Sequence, residues 1–344
     1  MADRNSLILS VLRNCQGNTL LVADENCLDF PFASAPGTVR VISNRFDVAE
    51  QAEHAGLTTL FSDYNFDNRE SCDWDNIIYP VSKEKPVVHY IANNACQLLR
   101  EQGKLWLVGG KQQGIKTFAK TVGRLFGCQP LTSKEGQLYI AEIHKHSCSS
   151  TPLDDRDYPQ LREIGTTSGV PILSKPGLFG WDKIDVGSEL LAGHLDNFLT
   201  PFAQPEMSLL DLGCGYGYLS LMANKLRKIN FTATDNCAAA IVACRENFSM
   251  HNIAGDVVAD DCGAHINKEF DAILCNPPFH QGFQQERKLT EKFLYNTRRL
   301  MKRDGRALFV VNQFVPLESL AQPFFKKIDL PITAKGFKLV ELAG

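Results

Sequence analysis

The sequence has nothing that resembles a membrane-spanning helix, a secretory leader or a zinc site. Among its 344 residues, no apolar run approaches the roughly 20 residues that a spanning helix needs. The first residues lack the basic-then-apolar pattern of a secretory signal. The 11 cysteines form no Cys-x-x-Cys pair and do not alternate with histidines at metal-ligand spacing. We therefore expect a soluble cytoplasmic protein with reduced, mostly buried thiols and no bound metal.

A strong net charge is also missing, because the formal net charge is -3. The charges are unevenly distributed along the chain. Asp and Glu exceed Lys and Arg by eight in residues 1–270, whereas Lys and Arg exceed Asp and Glu by five beyond Phe270. Any surface that binds nucleic acid is therefore expected toward the C-terminal end.

Both halves of the chain alternate short apolar segments with patterns of helical period. This alternation predicts an α/β protein whose parallel sheets are covered by helices on both faces. A stretch rich in Ser, Thr, Pro and Asp, at about residues 144–159, separates the two halves. We predict a first domain at 1–147, a linker at 148–165 and a second domain at 166–344.

The halves share a weak internal repeat. Residues 74–80 resemble residues 270–276, and residues 103–108 resemble residues 305–310. The first half has no counterpart of the glycine-rich turn of the second, and it has Pro80 where the second half has Asn276. We predict two tandem Rossmann-like domains, of which the N-terminal one is degenerate. The alternative is that any two parallel α/β domains look alike at this level.

The strongest local motif is an Asp-x-Gly-x-Gly-x-Gly run formed by Asp211, Gly213, Gly215 and Gly217. It follows a predicted strand and precedes a predicted helix, where glycines allow a tight turn and bring backbone amides close to a ligand. A dinucleotide fingerprint has the different spacing Gly-x-Gly-x-x-Gly and faces an anionic pyrophosphate. An acidic residue suits a cation instead, such as the ammonium group of a methionine moiety.

Two further acidic positions follow at the ends of the next two predicted strands. Asp235 can accept the hydroxyls of a ribose, as in the Rossmann arrangement, and Asp260 or Asp261 can meet the amine of an adenine. An Asp at the end of a single strand is common turn chemistry. Three such positions beside a glycine turn indicate adenosine joined to a cationic amino acid. The sequence therefore predicts S-adenosylmethionine as the cofactor.

The run Asn276-Pro277-Pro278-Phe279 follows the fourth predicted strand of the second half. An exocyclic amine on a base is a weak nucleophile, and two fixed acceptors favour its reactive geometry. The side-chain oxygen of Asn276 and the backbone carbonyl of Pro277 can be those acceptors, since proline restricts the backbone. Phe279 offers a flat face for stacking the base. The alternative is a plain Asn-Pro turn.

The residues after this run are candidates for contact with the target nucleotide. We assign that role to Pro278 and His280, although His280 can equally cap the next helix or face solvent. The helix expected at about residues 286–302 is basic and begins with Arg287 and Lys288. Such a helix is either a phosphate-tracking surface or a solvated outer face. Its other basic residues are Lys292, Arg298, Arg299 and Lys302.

Residues 178–188, the glycine motif and the run from Asn276 to His280 resemble the bacterial ribosomal RNA guanine-N2 methyltransferases, a group with a duplicated class I methyltransferase fold. The resemblance implies that the C-terminal domain binds S-adenosylmethionine and transfers the methyl group. It implies that the N-terminal copy assists with RNA and folding. It also places Phe179 and the segment with Gly187 beside the cofactor, as a cover ahead of the first strand.

The family includes one enzyme for 16S RNA, acting on assembled small subunits, and one for 23S RNA. Residues 185–188 and Gly282 look more like the small-subunit enzyme, whereas Gln281 looks like the large-subunit enzyme. We expect methylation of a guanine in 16S RNA within the 30S subunit, with 23S RNA as the alternative. Other Asn-Pro-Pro enzymes methylate a glutamine amide or adenine N6, and a non-catalytic RNA-binding assembly protein is the alternative of another class.

Overall fold

The computed structural model describes residues 3–66, 74–278 and 283–344, without the side chains of residues 283–286. The chain divides into two compact units, Met1–Gln160 and Leu161–Gly344. This division lies within the segment predicted as a linker, although the strand Arg162–Thr167 begins inside that segment. Within the described ranges, no helix has the length and apolarity needed to cross a membrane.

The first unit is a single sheet with helices packed on its faces. Its helices are α1 (Arg4–Asn14), α2 (Phe46–His54), α3 (Lys85–Leu98) and α4 (Ile115–Leu125). Its strands are β1 (Thr19–Ala23), β2 (Val39–Ser43), β3 (Thr58–Phe61), β4 (Trp74–Pro80), β5 (Leu99–Gly110), β6 (Leu131–Glu135) and β7 (Leu138–His144).

The strand order of the first sheet is β3-β2-β1-β4-β5-β7-β6. The pairs from β3 to β5 are parallel, and β7 is antiparallel to both β5 and β6. Every residue of the central strand β1 is buried, because helices cover both faces of the sheet. The two faces form separate apolar clusters, one around Ile77 and one around Ile78.

The second unit repeats this plan after a two-stranded hairpin. The hairpin consists of β8 (Arg162–Thr167) and β9 (Val170–Ser174). The helices are α5 (Val186–Ala192), α6 (Leu195–Leu199), α7 (Tyr218–Asn224), α8 (Ala238–Met250), α9 (Phe283–Leu300) and α10 (Leu317–Ala321). The strands are β10 (Met207–Leu212), β11 (Ile229–Asp235), β12 (Gly255–Ala259), β13 (Phe270–Cys275), β14 (Met301–Asn312), β15 (Lys327–Asp329), β16 (Thr333–Ala334) and β17 (Phe337–Ala343).

The second sheet has the order β12-β11-β10-β13-β14-β17-β15, with β16 beside β17. Its strands from β12 to β14 are parallel, so β10, β11 and β13 end at one edge of the sheet. The strand order reverses between β10 and β13, because the chain passes from β10 through β11 and β12 before it returns. Open α/β sheets bind ligands at such a crevice beyond the carboxyl ends of the strands.

The predicted fold of two tandem Rossmann-like domains is confirmed, since the two sheets share one strand order. The fourth predicted strand of the second half, which precedes Asn276, is β13, and the helix expected at about residues 286–302 is α9. Sequence reasoning did not identify the antiparallel strands β7 and β17, which complete the two sheets.

One cysteine prediction was wrong. Cys96 on α3 and Cys148 beyond β7 are joined by a disulfide, whereas all cysteines were expected to be reduced thiols. The two residues are 52 positions apart, and no sequence spacing pairs them. In the second unit, Cys244 on α8 and Cys275 on β13 are free and buried, as expected.

Candidate active site

The glycine-rich turn joins β10 to α7. Gly213, Gly215 and Gly217 all adopt positive φ, at 77°, 54° and 86°, where residues with a side chain are strained. At Gly217 an added Cβ would lie 2.8 Å from the Cys244 sulfur, whereas at Gly215 nothing lies within 4 Å of that position. Gly217 is thus needed for packing, and Gly215 presents bare backbone to open space, where a ligand can approach.

Asp211 lies near the end of β10 and is 1 % exposed. Its Oδ2 accepts hydrogen bonds from the amide of Ser220 (3.1 Å) and from the Ser220 hydroxyl (2.7 Å). Its Oδ1 is buried without a hydrogen-bond partner among the described residues. Burial raises the pKa of Asp211 to about 7.

A buried carboxylate oxygen without a donor is costly. An ammonium group placed against Oδ1 would supply the missing donor and favour the ionised carboxylate. The orphaned oxygen of Asp211 therefore fits the methionine end of S-adenosylmethionine, the role that the sequence predicted for it. Ser220, which holds the other oxygen, was not predicted from the sequence.

Asp235 ends β11 and braces the glycine turn. Its Oδ2 accepts from the Gly215 amide and its Oδ1 from the Cys237 amide, both at 2.9 Å. Each carboxylate oxygen can accept a further hydrogen bond, so the predicted contact with a ribose stays a prediction. The brace itself was not predicted, although an Asp that accepts from the amide two residues on is a common turn pattern.

The two acids beyond β12 have different environments. Asp260 is buried, and it accepts from the amide of His265 (2.9 Å) and contacts the His265 ring (3.1 Å). Asp261 forms an ion pair with Lys292 of α9. An adenine amine at Asp261 would share the carboxylate with that lysine, so the predicted adenine contact also stays a prediction.

Asn276 directly follows β13, which pairs with β10, the strand that leads into the glycine turn. Its side-chain nitrogen donates to Asp185 Oδ2 (2.9 Å) and to Ser188 Oγ (2.8 Å). A carboxylate can only accept, so the amide nitrogen must face Asp185. Neither contact uses the amide oxygen, which is left as an acceptor. Pro277 is buried and Pro278 is exposed.

The other residues predicted from the sequence either lie near the carboxyl edge of the second sheet or fall outside the described residues. Phe279 and His280 are outside the described residues. Phe179, before α5, has 64 % of its surface exposed. Gly187, in the first turn of α5, is buried, and an added Cβ would lie 3.1 Å from the ring of Phe337. Close packing is therefore one physical reason for this glycine, and its predicted contact with the cofactor stays a prediction.

Basic residues of α9 and of the strand after it have partners within the protein. On α9, Arg299 donates to the backbone carbonyls of Ile266 (2.7 Å) and Gly263 (2.6 Å). Lys302 lies on β14 and not on the helix, and it pairs with Asp271. For these two residues, contact with phosphate stays a prediction. At the other end of the helix, Arg287 and Lys288 are exposed.

Arg287 forms an exposed pair with Glu291 one turn along α9. Exposed pairs of this kind contribute little stability, on the order of 0.5 kcal/mol, so a phosphate can compete for the guanidinium. Arg287 and Lys288, in the first half of α9, thus remain candidates for contact with RNA.

Comparisons with known proteins agree on the family. The model of the methyltransferase small domain matches residues 169–341, and the model of its N-terminal domain matches residues 7–152. The ribosomal RNA small subunit methyltransferase C of Yersinia pestis is 30% identical over 270 residues, which cover 78% of this chain and 74% of that protein. The chain belongs to the bacterial ribosomal RNA guanine-N2 methyltransferase family.

Two further similar proteins have lower sequence identity to this chain. The ribosomal RNA small subunit methyltransferase C of Colwellia psychrerythraea is 25% identical over 269 residues, or 77% of this chain and 73% of that protein. The solved T. Thermophilus 16S rRNA N2 G1207 methyltransferase, in complex with AdoMet and guanosine, matches with a TM-score of 0.82 and 19% identity. It covers 99% of this chain, and this chain covers 91% of it, so both units share its fold. The family that the sequence resembled is confirmed.

Proposed function

We propose that this protein transfers a methyl group from S-adenosylmethionine to the exocyclic N2 amine of a guanine in 16S ribosomal RNA, within the small subunit in the cytoplasm. Support comes from family membership and from the relatives, which are named as methyltransferases of the small ribosomal subunit. The single observation that carries the chemistry is the orientation of Asn276. Its nitrogen is held by Asp185 and Ser188, and its oxygen is left to accept from an amine.

The cofactor supplies an electrophilic methyl group, and the protein holds the cofactor and the substrate amine in the geometry for transfer. Asp211 Oδ1 would hold the ammonium group at one end of the cofactor, and the backbone around Gly215 would lie against it. Asp235 keeps that turn in place through the Gly215 amide. These residues would hold the cofactor at the carboxyl edge of the sheet, beside the end of β13.

The substrate amine is held by two acceptors at the same edge. The Asn276 oxygen and the Pro277 carbonyl each accept one N–H of the guanine N2 amine, which directs its lone pair at the methyl group. Phe279, outside the described residues, is proposed to stack on the base. The new N–CH₃ bond would form as the S–CH₃ bond of the sulfonium breaks and leaves a neutral thioether, and the methylated amine would lose one proton to solvent. Catalysis therefore rests on positioning more than on a strong base.

The proposal is tested by offering several acceptors to one enzyme preparation. Tritiated cofactor is supplied with undermethylated 30S subunits, protein-free 23S RNA, DNA or a release factor. We expect label in 16S RNA of the 30S subunits, at N2 of guanine after digestion to nucleosides. Label in 23S RNA would favour the large-subunit alternative, and label in DNA or the release factor would favour the other amine classes. No transfer to any acceptor would favour a non-catalytic assembly protein.

A further inference from the structure

Asp185 occupies a junction between the helix α5 and the end of β13. It is the N-cap residue of α5, and its Oδ2 accepts from the amide of Ser188 at 2.8 Å. The same oxygen accepts from the side-chain nitrogen of Asn276, 91 positions away in sequence, at 2.9 Å. The Ser188 hydroxyl accepts from that nitrogen at 2.8 Å. Oδ2 of Asp185 therefore accepts both from the first turn of α5 and from the Asn276 side chain, which follows β13.

These contacts decide which way the Asn276 amide faces. An amide group has a donating and an accepting end of nearly equal shape, so packing alone selects between them poorly. The Asp185 carboxylate has no proton to donate, and an amide oxygen turned toward it would place acceptor against acceptor. The two N–H bonds of the nitrogen are matched by two acceptors, Asp185 and Ser188. The amide oxygen is thereby kept for a ligand.

The helix that carries these acceptors is held against the sheet. Ser188 is buried, and the neighbouring Gly187 allows the ring of Phe337 at the start of β17 to approach closely. A Cβ at position 187 would lie 3.1 Å from that ring and from Asp185 Oδ2, so a neighbouring side chain would have to shift. Asp185 is therefore a fixed acceptor, and fixed neighbours are what hold a reacting group in its productive geometry.

We propose that Asp185, with Ser188, is a positioning residue that keeps the Asn276 oxygen turned toward the substrate amine. This inference rests on the proposed function, because it assigns the oxygen to the amine that is methylated. When the Asp185 carboxylate is replaced by an amide, the Asn276 side chain can turn over. The substrate amine would then meet N–H groups, and a donor facing a donor cannot orient its lone pair.

The informative variant is Asp185→Asn, because asparagine is as good an N-cap as aspartate and keeps the shape of the side chain. A matched control is Asp3→Asn in the first unit. Asp3 is the N-cap of α1 and accepts from the amide of Ser6 at 2.8 Å, the same geometry as the cap of α5. Both variants remove the charge of one capping carboxylate, and only one of those carboxylates contacts Asn276.

We expect Asp185→Asn to lower kcat on 30S subunits by about tenfold to a hundredfold, as the loss of a hydrogen bond to a charged group predicts. The affinity for the cofactor, by calorimetry, and Tm should match those of Asp3→Asn. Combined with Asn276→Ala, the Asp185 change should add nothing to the residual rate. Unchanged kcat would overturn the inference, as would a loss of cofactor affinity in proportion to kcat.

A second measurement does not depend on the RNA substrate. The side-chain NH₂ signals of Asn276, assigned by their absence in Asn276→Ala, report its hydrogen bonds in ¹⁵N-labelled protein. We expect slow hydrogen exchange in the wild type and in Asp3→Asn, and faster exchange in Asp185→Asn. Equal exchange in all three would contradict the inference. An inactive wild type with the expected exchange pattern would refute the proposed function and leave the orientation of Asn276 established.

Discussion

The two units have one architecture and differ at the residues that can do chemistry. In each, an aspartate of the fourth strand accepts from an amide at the start of the first strand. Asp75 accepts from the Asn18 amide at 2.6 Å, and Asp271 accepts from the Ser208 amide at 2.8 Å. Each aspartate also pairs with a basic residue, Arg100 or Lys302. These shared contacts set the register between the central strands of both sheets.

With that register, the functional positions can be compared one by one. The strand position of Asp211 in the second unit is held by Leu21 in the first, and that of Asp235 is held by Ser43. Ser43 still accepts from an amide two residues on, that of Arg45 at 3.1 Å, as Asp235 does from Cys237. The capping geometry is retained at this position, and the charge is lost.

In the first sheet, buried aromatic side chains occupy the edge that corresponds to the candidate ligand site of the second sheet. Tyr64, beyond β3, and Tyr79, near the end of β4, are fully buried. Tyr64 stacks on Phe66 at 6.5 Å between ring centroids. The second unit has the small residue Cys275 where the first has Tyr79. Contacts that maintain the fold are therefore common to both units, whereas acids at the strand positions of Asp211 and Asp235 are present only in the second unit.

The largest expected effect is the loss of kcat when Asn276, at the end of the fourth strand of the second sheet, is replaced. The matching position of the first sheet is Pro80. Asn276→Ala should lower kcat on 30S subunits by about 100-fold or more, because it removes one of two acceptors that orient the amine. Cofactor affinity should stay within about twofold, since Asn276 is assigned to the substrate. Pro80→Ala, at the matching position of the first unit, should change kcat little. Steady-state kinetics and calorimetry measure both variants, and equal losses would break the comparison.

The second largest expected effect is a loss of cofactor affinity when the glycine turn is altered. Gly215→Val should weaken cofactor binding by about 100-fold, because its side chain enters the open space where the backbone meets the ligand and its φ is unfavourable. The control is Glu25→Val, at the matching position of the first unit, where Glu25 is exposed. Calorimetry with S-adenosylmethionine gives both affinities. Unchanged affinity of Gly215→Val would remove the glycine turn from the cofactor site.

The pH dependence of cofactor binding distinguishes Asp211 from its counterpart Leu21. Burial raises the pKa of Asp211 to about 7, and an ammonium ligand prefers the ionised form. The ionised fraction rises from about a tenth at pH 6 to about a half at pH 7, so affinity should rise about fivefold. Asp211→Asn should bind weakly with no such rise. A pH-independent wild-type affinity would exclude Asp211 as the partner of the ammonium group.

The raised pKa of Asp211 also makes the stability of the cofactor-free protein depend on pH. The folded-state pKa of about 7 lies above the ordinary value of 3.8, so between these values the folded state binds a proton that the unfolded chain has released. The contribution of Asp211 is therefore fully present below about pH 4 and is lost as the pH rises through 7. Chemical unfolding at several pH values should show a smaller loss in Asp211→Asn than in the wild type.

The smallest effect is expected on the exposed basic residues. Lys288→Ala should weaken binding to RNA a few-fold and reduce the slope of log affinity against log salt by about one, because one phosphate contact is lost. Lys83→Ala, on the exposed loop after β4 in the first unit, is the control. Filter binding at several salt concentrations measures both. An equal effect at Lys83 would show that the first unit also contacts RNA, and would sharpen the comparison.

Much of this account follows from sequence because the informative residues are close together in the chain. The glycine turn, the acids after strands and the run at Asn276 are local patterns, and the structure brings them to one edge of one sheet. The repeat was detectable because matching strands carry similar apolar residues. The family resemblance, and not the residues alone, selected guanine over other amines.

The rest depends on contacts between residues distant in the chain. Ser220 beneath Asp211, and Asp185 beside Asn276, are defined only when helices pack on the sheet. The disulfide between Cys96 and Cys148 has the same character. The sequence shows the charges of the basic residues of α9 but not their partners, such as the backbone carbonyls that accept from Arg299.

The central claim is that the second unit methylates a guanine of 16S ribosomal RNA through Asn276. The most direct measurement is to map N2-methylguanosine in ribosomal RNA from a strain that lacks this gene and from strains complemented with the wild type, Asn276→Ala or Pro80→Ala. We predict that one such nucleotide of 16S RNA loses its methyl group in the deletion strain, and that the wild type and Pro80→Ala restore it while Asn276→Ala does not. A fully methylated 16S RNA in the deletion strain, or restoration by Asn276→Ala, would contradict the account.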